Sequence, residues 1–257
     1  VCSSDLNQGR IWTCAQPAAD PVRSGAMTED HLGRLFLGGY RNVFRSDDQG
    51  SSWYPTRLSG TTIHALASHE STVVAGTYGR GILVSGDRGS AWSDANAGLN
   101  SAVYDVAVGP AGSWYAATVG GVYRSDDHGV SWTLLDELDQ PVRPSRVLAF
   151  DDACRLLDGT IDGLWRYDPG GAGWEALGPP GSPPIGDIAF GPDGDLYVGY
   201  HEGVYHLRGQ NWISYPLIGP DQSPRNVIAV TVDAAGTLFA GGTYDSFMRP
   251  EGSSGWV

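Results

Sequence analysis

Lysine is missing altogether: all 16 basic residues are arginine, set against 29 acids for a net charge of −13 over 257 residues. The missing lysine reads first as codon usage in a GC-rich genome. The sign of the charge has the firmer consequence: surfaces that grip phosphate backbones are basic, so this balance argues against a nucleic-acid partner. Cysteine is scarce, and the spacing of Cys2, Cys14 and Cys154 fits no zinc pattern. The six histidines are scattered. His201 and His206 lie five apart on a loop and the strand after it, with diverging side chains, and His31, His64, His69 and His128 are dispersed, so no metal and no cofactor are expected. No apolar run approaches the roughly 18 residues of a membrane span. No long stretch repeats apolar residues at helical spacing, so helix is not expected. No signal peptide is visible. The chain opens at Val1 and closes at Val257 inside repeat units, and is expected to be part of a longer protein.

What the chain does have is period. Apolar residues make up 41%, with 37 glycines and nine tryptophans, a composition suited to many short strands and tight turns. Seven tryptophans, Trp12, Trp53, Trp92, Trp132, Trp174, Trp212 and Trp256, recur every 38–44 residues. That is the length of a four-stranded propeller blade. Three of them end one phrase, S-x-D-x-G-x-x-W: Ser46, Asp48, Gly50 and Trp53; Ser85, Asp87, Gly89 and Trp92; Ser125, Asp127, Gly129 and Trp132. Asp5-x-Asn7-x-Gly9-x-x-Trp12 is a near match, and the later units decay. Before each phrase comes an apolar strand such as Gly121-Val122-Tyr123-Arg124, and before that a small-residue strand such as Val73-Val74-Ala75-Gly76-Thr77. A further strand such as Val103 to Val108 opens the unit. Each unit therefore reads strand, turn, strand, loop, strand, box, strand.

The phrase has a structural rationale. A short carboxylate accepts turn N–H groups, glycine supplies a backbone conformation that other residues resist, and tryptophan buries a large apolar area. Asp48, Asp87 and Asp127 are therefore expected to serve their own turns and not to form a catalytic or calcium set. On these motifs the chain resembles the Asp-box (BNR, sialidase-like repeat) propellers: sialidases, xyloglucanases, sortilin-type receptors and photosystem II assembly factors with their non-catalytic relatives. The run Val122–Trp132 looks most like the assembly-factor and uncharacterised bacterial branch. The resemblance implies an all-β fold, a single β-propeller domain over 1–257, truncated at both ends. Six nearly complete four-stranded blades and a partial one are expected, from a seven-bladed parent ring.

In such a fold a site belongs on the face made by the loops between second and third strands and between blades. Those loops carry Tyr40-Arg41, Tyr78-Gly79-Arg80, Val119-Gly120, Ile161-Asp162, His201-Glu202 and Tyr244-Asp245, with Arg57, Arg143, Arg146, Asp187 and Arg225 from the blade connections. Tyrosine and arginine are common anchors of binding surfaces. The ligand-binding candidates are Tyr78, Arg80, Arg143, Arg146, Asp162, His201, Glu202 and Tyr244. The expected function is a non-catalytic scaffold for a protein or glycan. The alternative, implied by the resemblance, is a glycoside hydrolase. A sialidase-like site would draw on Arg41, Arg80, Arg225, Tyr244, Glu202 and Asp162, although the family's Arg-Ile-Pro motif is absent. A xyloglucanase-like site would need a cleft between two propellers. The separation of Asp162 and Glu202 would decide, about 5–9.5 Å being the working range. A third reading is a sensor domain of a membrane receptor. Cys2 and Cys14, symmetric about the turn near Gln8, are expected to oppose each other within disulfide reach, which favours an extracellular or periplasmic address.

Overall fold

In a computed structural model the described residues are 2–4, 12–14, 26–99, 102–109, 112–135, 143–168, 173–242, 245–253 and 255–257. Among them every regular element is a β-strand. The chain divides into two compact units: Val1–Thr118 with Tyr123–Leu135, and Val119–Val122 with Asp136–Val257.

The first unit opens with a two-stranded pair, β1 (Cys2–Ser4) and β2 (Trp12–Cys14), whose antiparallel register sets Cys2 opposite Cys14. Their side chains, and with them the expected disulfide, lie outside the described residues. Three four-stranded sheets follow, each with its strands in chain order. They are β3 (Met27–Glu29), β4 (Leu35–Gly38), β5 (Asn42–Ser46) and β6 (Tyr54–Ser59); β7 (Ile63–His69), β8 (Thr72–Thr77), β9 (Gly81–Ser85) and β10 (Ser93–Asp94); and β11 (Val103–Val108), β12 (Trp114–Thr118), β13 (Gly121–Ser125) and β14 (Thr133–Leu134).

The second unit repeats the pattern. β15 (Ser145–Phe150), β16 (Leu156–Thr160), β17 (Gly163–Asp168) and β18 (Gly173–Gly178) form one sheet, and β19 (Ile185–Phe190), β20 (Leu196–Tyr200), β21 (Gly203–Arg208) and β22 (Asn211–Pro216) the next. The last sheet has three strands, β23 (Ala229–Val232), β24 (Leu238–Gly241) and β25 (Ser246–Arg249). Five sheets are thus four-stranded among the described residues, and the sixth lacks a fourth strand there.

Two kinds of turn close the hairpins, and both use acids. Between first and second strands, Asp30, Asp151 and Asp233 each accept two backbone N–H groups, from Leu32 and Arg34, Ala153 and Arg155, Ala235 and Thr237. The third residue after each aspartate, Gly33, Cys154 or Gly236, has positive φ (77°, 62° and 78°). In the box turns, Asp48, Asp87 and Asp127 accept from the N–H of Ser52, Ala91 and Ser131, while the hydroxyls of Ser46, Ser85 and Ser125 accept from the N–H of Gly50, Gly89 and Gly129. The fourth and fifth residues of each box are left-handed, as at Arg88 (φ 62°) and Gly89 (φ 86°).

Sheets meet face to face through a recurring fit. A glycine at or next to the end of the second strand leaves a hole for a branched residue at or just before the start of the next sheet's first strand. A Cβ on Gly38 would stand 2.7 Å from Ile63 Cγ2, one on Gly76 2.7 Å from Val103 Cγ1, and one on Gly199 2.7 Å from Val227 Cγ1. Two of the periodic tryptophans also reach across: Trp132 Nε1 donates to the Ala95 carbonyl of the preceding sheet's final segment, and Trp212 Nε1 to the Leu177 carbonyl. The cores are accordingly shared between neighbours, Ala65, Val74 and Ile82 clustering with Val103, Trp114 and Trp132.

The inner strands hold a second regularity. Four of the six, β7, β11, β15 and β19, have a β-bulge at their second residue, and the bulged residues are His64, Tyr104, Arg146 and Gly186. This corrects the sequence-based placement of three residues. Arg146 lies in β15, Asp187 in β19 and Arg57 in β6, not in connecting loops. The bulge is the reason for the first: an extra residue leaves the ladder and mimics a strand boundary.

Candidate functional site

In the first unit, Tyr78 and Arg80 occupy the turn between β8 and β9. A single side chain sets that turn: the Thr77 hydroxyl donates to the Gly81 carbonyl and accepts from the Arg80 N–H. Thr160 does the same for Gly163 and Asp162, which accounts for the threonine that ends the small-residue strands. Asn96, beyond β10, locks the loop from the other side, accepting from the Ile82 N–H and donating to the Arg80 carbonyl.

Tyr78 and Arg80 line one cavity of about 410 Å³ together with Asn96, Leu99 and Ala102. Tyr78 is 64% exposed. At the lip, Arg80 Nη2 pairs with Asp94 at 3.1 Å, both side chains about half exposed. His64 packs 5.6 Å from Tyr78, and 6.1 Å from Tyr104 in a stacked arrangement, so three rings run side by side. Burial holds the His64 imidazole below its ordinary range. Sequence reasoning missed His64 and Tyr104. The available signal was their shared position, second in the opening strand of successive units.

The second unit carries the remaining candidates. Arg143 stacks its guanidinium on the Trp165 ring at 3.6 Å. Arg146 and Asp162 are exposed. His201 and Glu202 form a turn, with His201 Nε2 3.4 Å from the Glu202 carboxylate. Tyr244 lies outside the described residues. Arg225 pairs with both Asp221 and Asp245, each at 2.9 Å. Asp187, read as a rim group, sends its two carboxylate oxygens to the backbone N–H groups of Ile188 and Val230, tying β19 to β23. Burial pushes its pKa up to about 6, against the pull of those donors.

One further polar cluster was not anticipated. His206, on β21, places Nε2 2.8 Å from Asp195 and Nδ1 3.0 Å from the Tyr215 hydroxyl, with its ring stacked on Tyr197 at 4.2 Å. Its partners come from a turn and from β22, so spacing from His201 alone did not show it. Among the described residues no group of three or more His, Cys, Asp or Glu is arranged to hold a metal ion. No helix there is long and apolar enough to cross a membrane.

No protein-family model and no curated protein matches the chain. Solved structures do match. YCF48 bound to D1 peptide is 18% identical with a TM-score of 0.67, over 91% of this chain and 81% of that one. YCF48 from Cyanidioschyzon merolae is 15% identical with a TM-score of 0.69, over 90% and 83%. The GH74 xyloglucanase from Xanthomonas campestris is 18% identical with a TM-score of 0.73, but the 97% of this chain that aligns spans only 50% of the enzyme. What the chain shares with all three is the fold: it is an all-β protein of the β-propeller class, built of four-stranded antiparallel blades.

Proposed function

We propose that this chain is a non-catalytic binding module that engages a protein or glycan through the loop ends of its blades. The observation that carries the reading is the Tyr78–Arg80 cavity. The local fold is closed by Thr77 and Asn96, so it places no demand on the Tyr78 ring or the Arg80 guanidinium, and the equivalent turn of the next blade is Val119-Gly120. Large side chains held out by a rigid turn with no structural duty are what a recognition surface uses.

Hydrolysis is less well served. A carboxylate clamp needs arginines with donors to spare, whereas Arg225 is paired with two aspartates. A glycosidase acid is kept protonated by an apolar pocket, whereas Asp162 and Glu202 are exposed turn residues. The likeness to a propeller bound to a peptide supports a macromolecular partner. An address outside the cytoplasm is part of the same proposal, on the register of Cys2 with Cys14. Titration of the folded chain that finds three reactive thiols would remove it. Purified protein is expected to leave sialoside and glucan reporter substrates unturned. Turnover that vanishes in Glu202→Gln would replace the binding reading with the hydrolase.

A further inference from the structure

The Tyr78 cavity has a chemistry more specific than a generic sticky surface. One wall is an exposed phenol ring, continued by His64 and Tyr104. The amide of Asn96 is spent on the backbone of its own loop. The polar capacity left at the lip is therefore that of Arg80 and Asp94. Arg80 engages Asp94 through one nitrogen, Nη2, which approaches Oδ1 at 3.1 Å and Oδ2 at 3.4 Å. Its other N–H groups have no partner among the described residues, and both side chains are about half exposed. An ion pair so exposed adds little stability, roughly 0–1 kcal/mol, so stability does not explain its presence. It offers donors and acceptors side by side with no net charge.

We infer that the cavity lined by Tyr78 and Arg80, with Asp94 paired to Arg80 beside it, is a binding subsite for a neutral saccharide unit, stacked on the Tyr78 ring with its hydroxyls bridging the Arg80–Asp94 pair. The inference rests on the binding reading above and deepens it. A sugar ring presents an apolar C–H face that suits an aromatic plane and an edge of hydroxyls, each at once donor and acceptor. An arginine–aspartate pair matches that edge: the hydroxyl oxygen accepts from the guanidinium and its hydrogen goes to the carboxylate. A basic or acidic peptide side chain would meet one favourable and one opposing charge at the same lip. An anionic sugar would also approach a chain of net charge −13, whereas a neutral one is indifferent to that field. The cavity volume of about 410 Å³ suits one or two sugar rings and leaves the rest of an oligosaccharide to run along the row toward His64 and Tyr104.

The test is titration calorimetry of the purified chain at millimolar concentrations of cellopentaose, mannopentaose and laminaripentaose, with oligogalacturonate as the anionic control. At least one neutral oligosaccharide is expected to bind and the oligogalacturonate to bind none or more weakly. Tyr78→Ala should weaken the neutral ligand about tenfold or more, the scale of a lost aromatic contact, whereas Tyr78→Phe, which keeps the ring, retains most of the affinity. Asp94→Asn should weaken binding without lowering the melting temperature. Tyr78 is exposed, so Tyr78→Ala keeps its fold, checked by an unchanged melt. Silence with every neutral oligosaccharide, preference for the anionic one, or affinity unmoved by Tyr78→Ala overturns the saccharide. If, with the oligosaccharides silent, a protein partner is captured in a Tyr78-dependent way, the binding reading stands without the saccharide. Shortened oligosaccharides in the recovered ligand would sink the binding reading instead.

Discussion

Asp187 and Asp127 are both aspartates held by backbone N–H groups, yet their protons respond in opposite directions, because one is buried and the other is not. Burial lifts Asp187 from 3.8 to about 6, so the folded chain holds this proton more tightly than the unfolded one. Its contribution to stability is largest at and below pH 3.8 and falls away as pH rises through about 6. A shift of that size corresponds to about 3 kcal/mol. Asp127 is the reverse: the Ser131 hydroxyl, then the Ser131 N–H and the Ser125 hydroxyl, hold its carboxyl at about 2. Its stabilisation is complete above 3.8 and lost as pH falls through about 2. Melting curves across pH are therefore expected to flatten between neutral and about pH 4 in Asp187→Asn, and below about pH 4 in Asp127→Asn. Slopes identical to the parent's in both windows would contradict the assignments. The role of Asp127 was legible in the sequence, since the box phrase itself carries the donors. That of Asp187 was not, because one of its two donors, the Val230 N–H, lies 43 residues away.

Within a blade, the outward polar residue of the third strand acts as a bracket. Arg45 reaches Asp47, Arg124 reaches Asp126 and Ser113, and Arg166 reaches Glu175. In the blade whose box has decayed to Arg208-Gly209-Gln210-Asn211-Trp212, His206 takes the same register and spans from Asp195 to Tyr215. It is buried where the arginines are only partly so. Its loss strands two hydrogen-bonding groups in a poorly solvated place. His206→Ala is expected to cost about 1–3 kcal/mol in urea unfolding, and His206→Gln, which keeps one of the two bonds, less. Equal losses would mean that packing on Tyr197 is what matters. The strands and the box turns were legible because each is coded within a few residues. The bracket and the ring row were not, since their partners are joined by sheet register. The acidic composition also reads differently at this scale: Asp30, Asp151 and Asp233 close first hairpins, and Asp48, Asp87 and Asp127 close box turns. Six of the 29 acids are therefore turn chemistry and not a patch awaiting a cation.

Across the molecule, a repeat protein gains its stability from the fit of each unit to the next, and the fit recurring here is a branched side chain seated over a glycine. The small-residue strand was visible in the sequence, but its purpose was not, because the knob belongs to the following unit. The Gly76–Val103 contact is the cleanest place to test it. Gly76 has no left-handed φ, so its backbone would accept alanine, and such a change ordinarily stabilises by about 0.4–1 kcal/mol through the unfolded chain. Sterically the change is barred: the new Cβ would stand 2.7 Å from Val103 Cγ1 and 3.3 Å from Val106 Cγ1. Overpacking of this kind costs about 1–3 kcal/mol, so Gly76→Ala is expected to destabilise despite its backbone advantage. Val103 is fully buried, and Val103→Ala alone should destabilise by leaving a void. Joined in one chain, the two changes refill each other: the alanine at 76 enters the space the valine methyls vacate. The double variant should therefore be more stable than the sum of the single losses predicts, with a coupling of about 0.5–3 kcal/mol. Strict additivity in urea unfolding would show that the blades do not meet through this knob and hole, and that the glycine next to the end of the second strand is there for another reason.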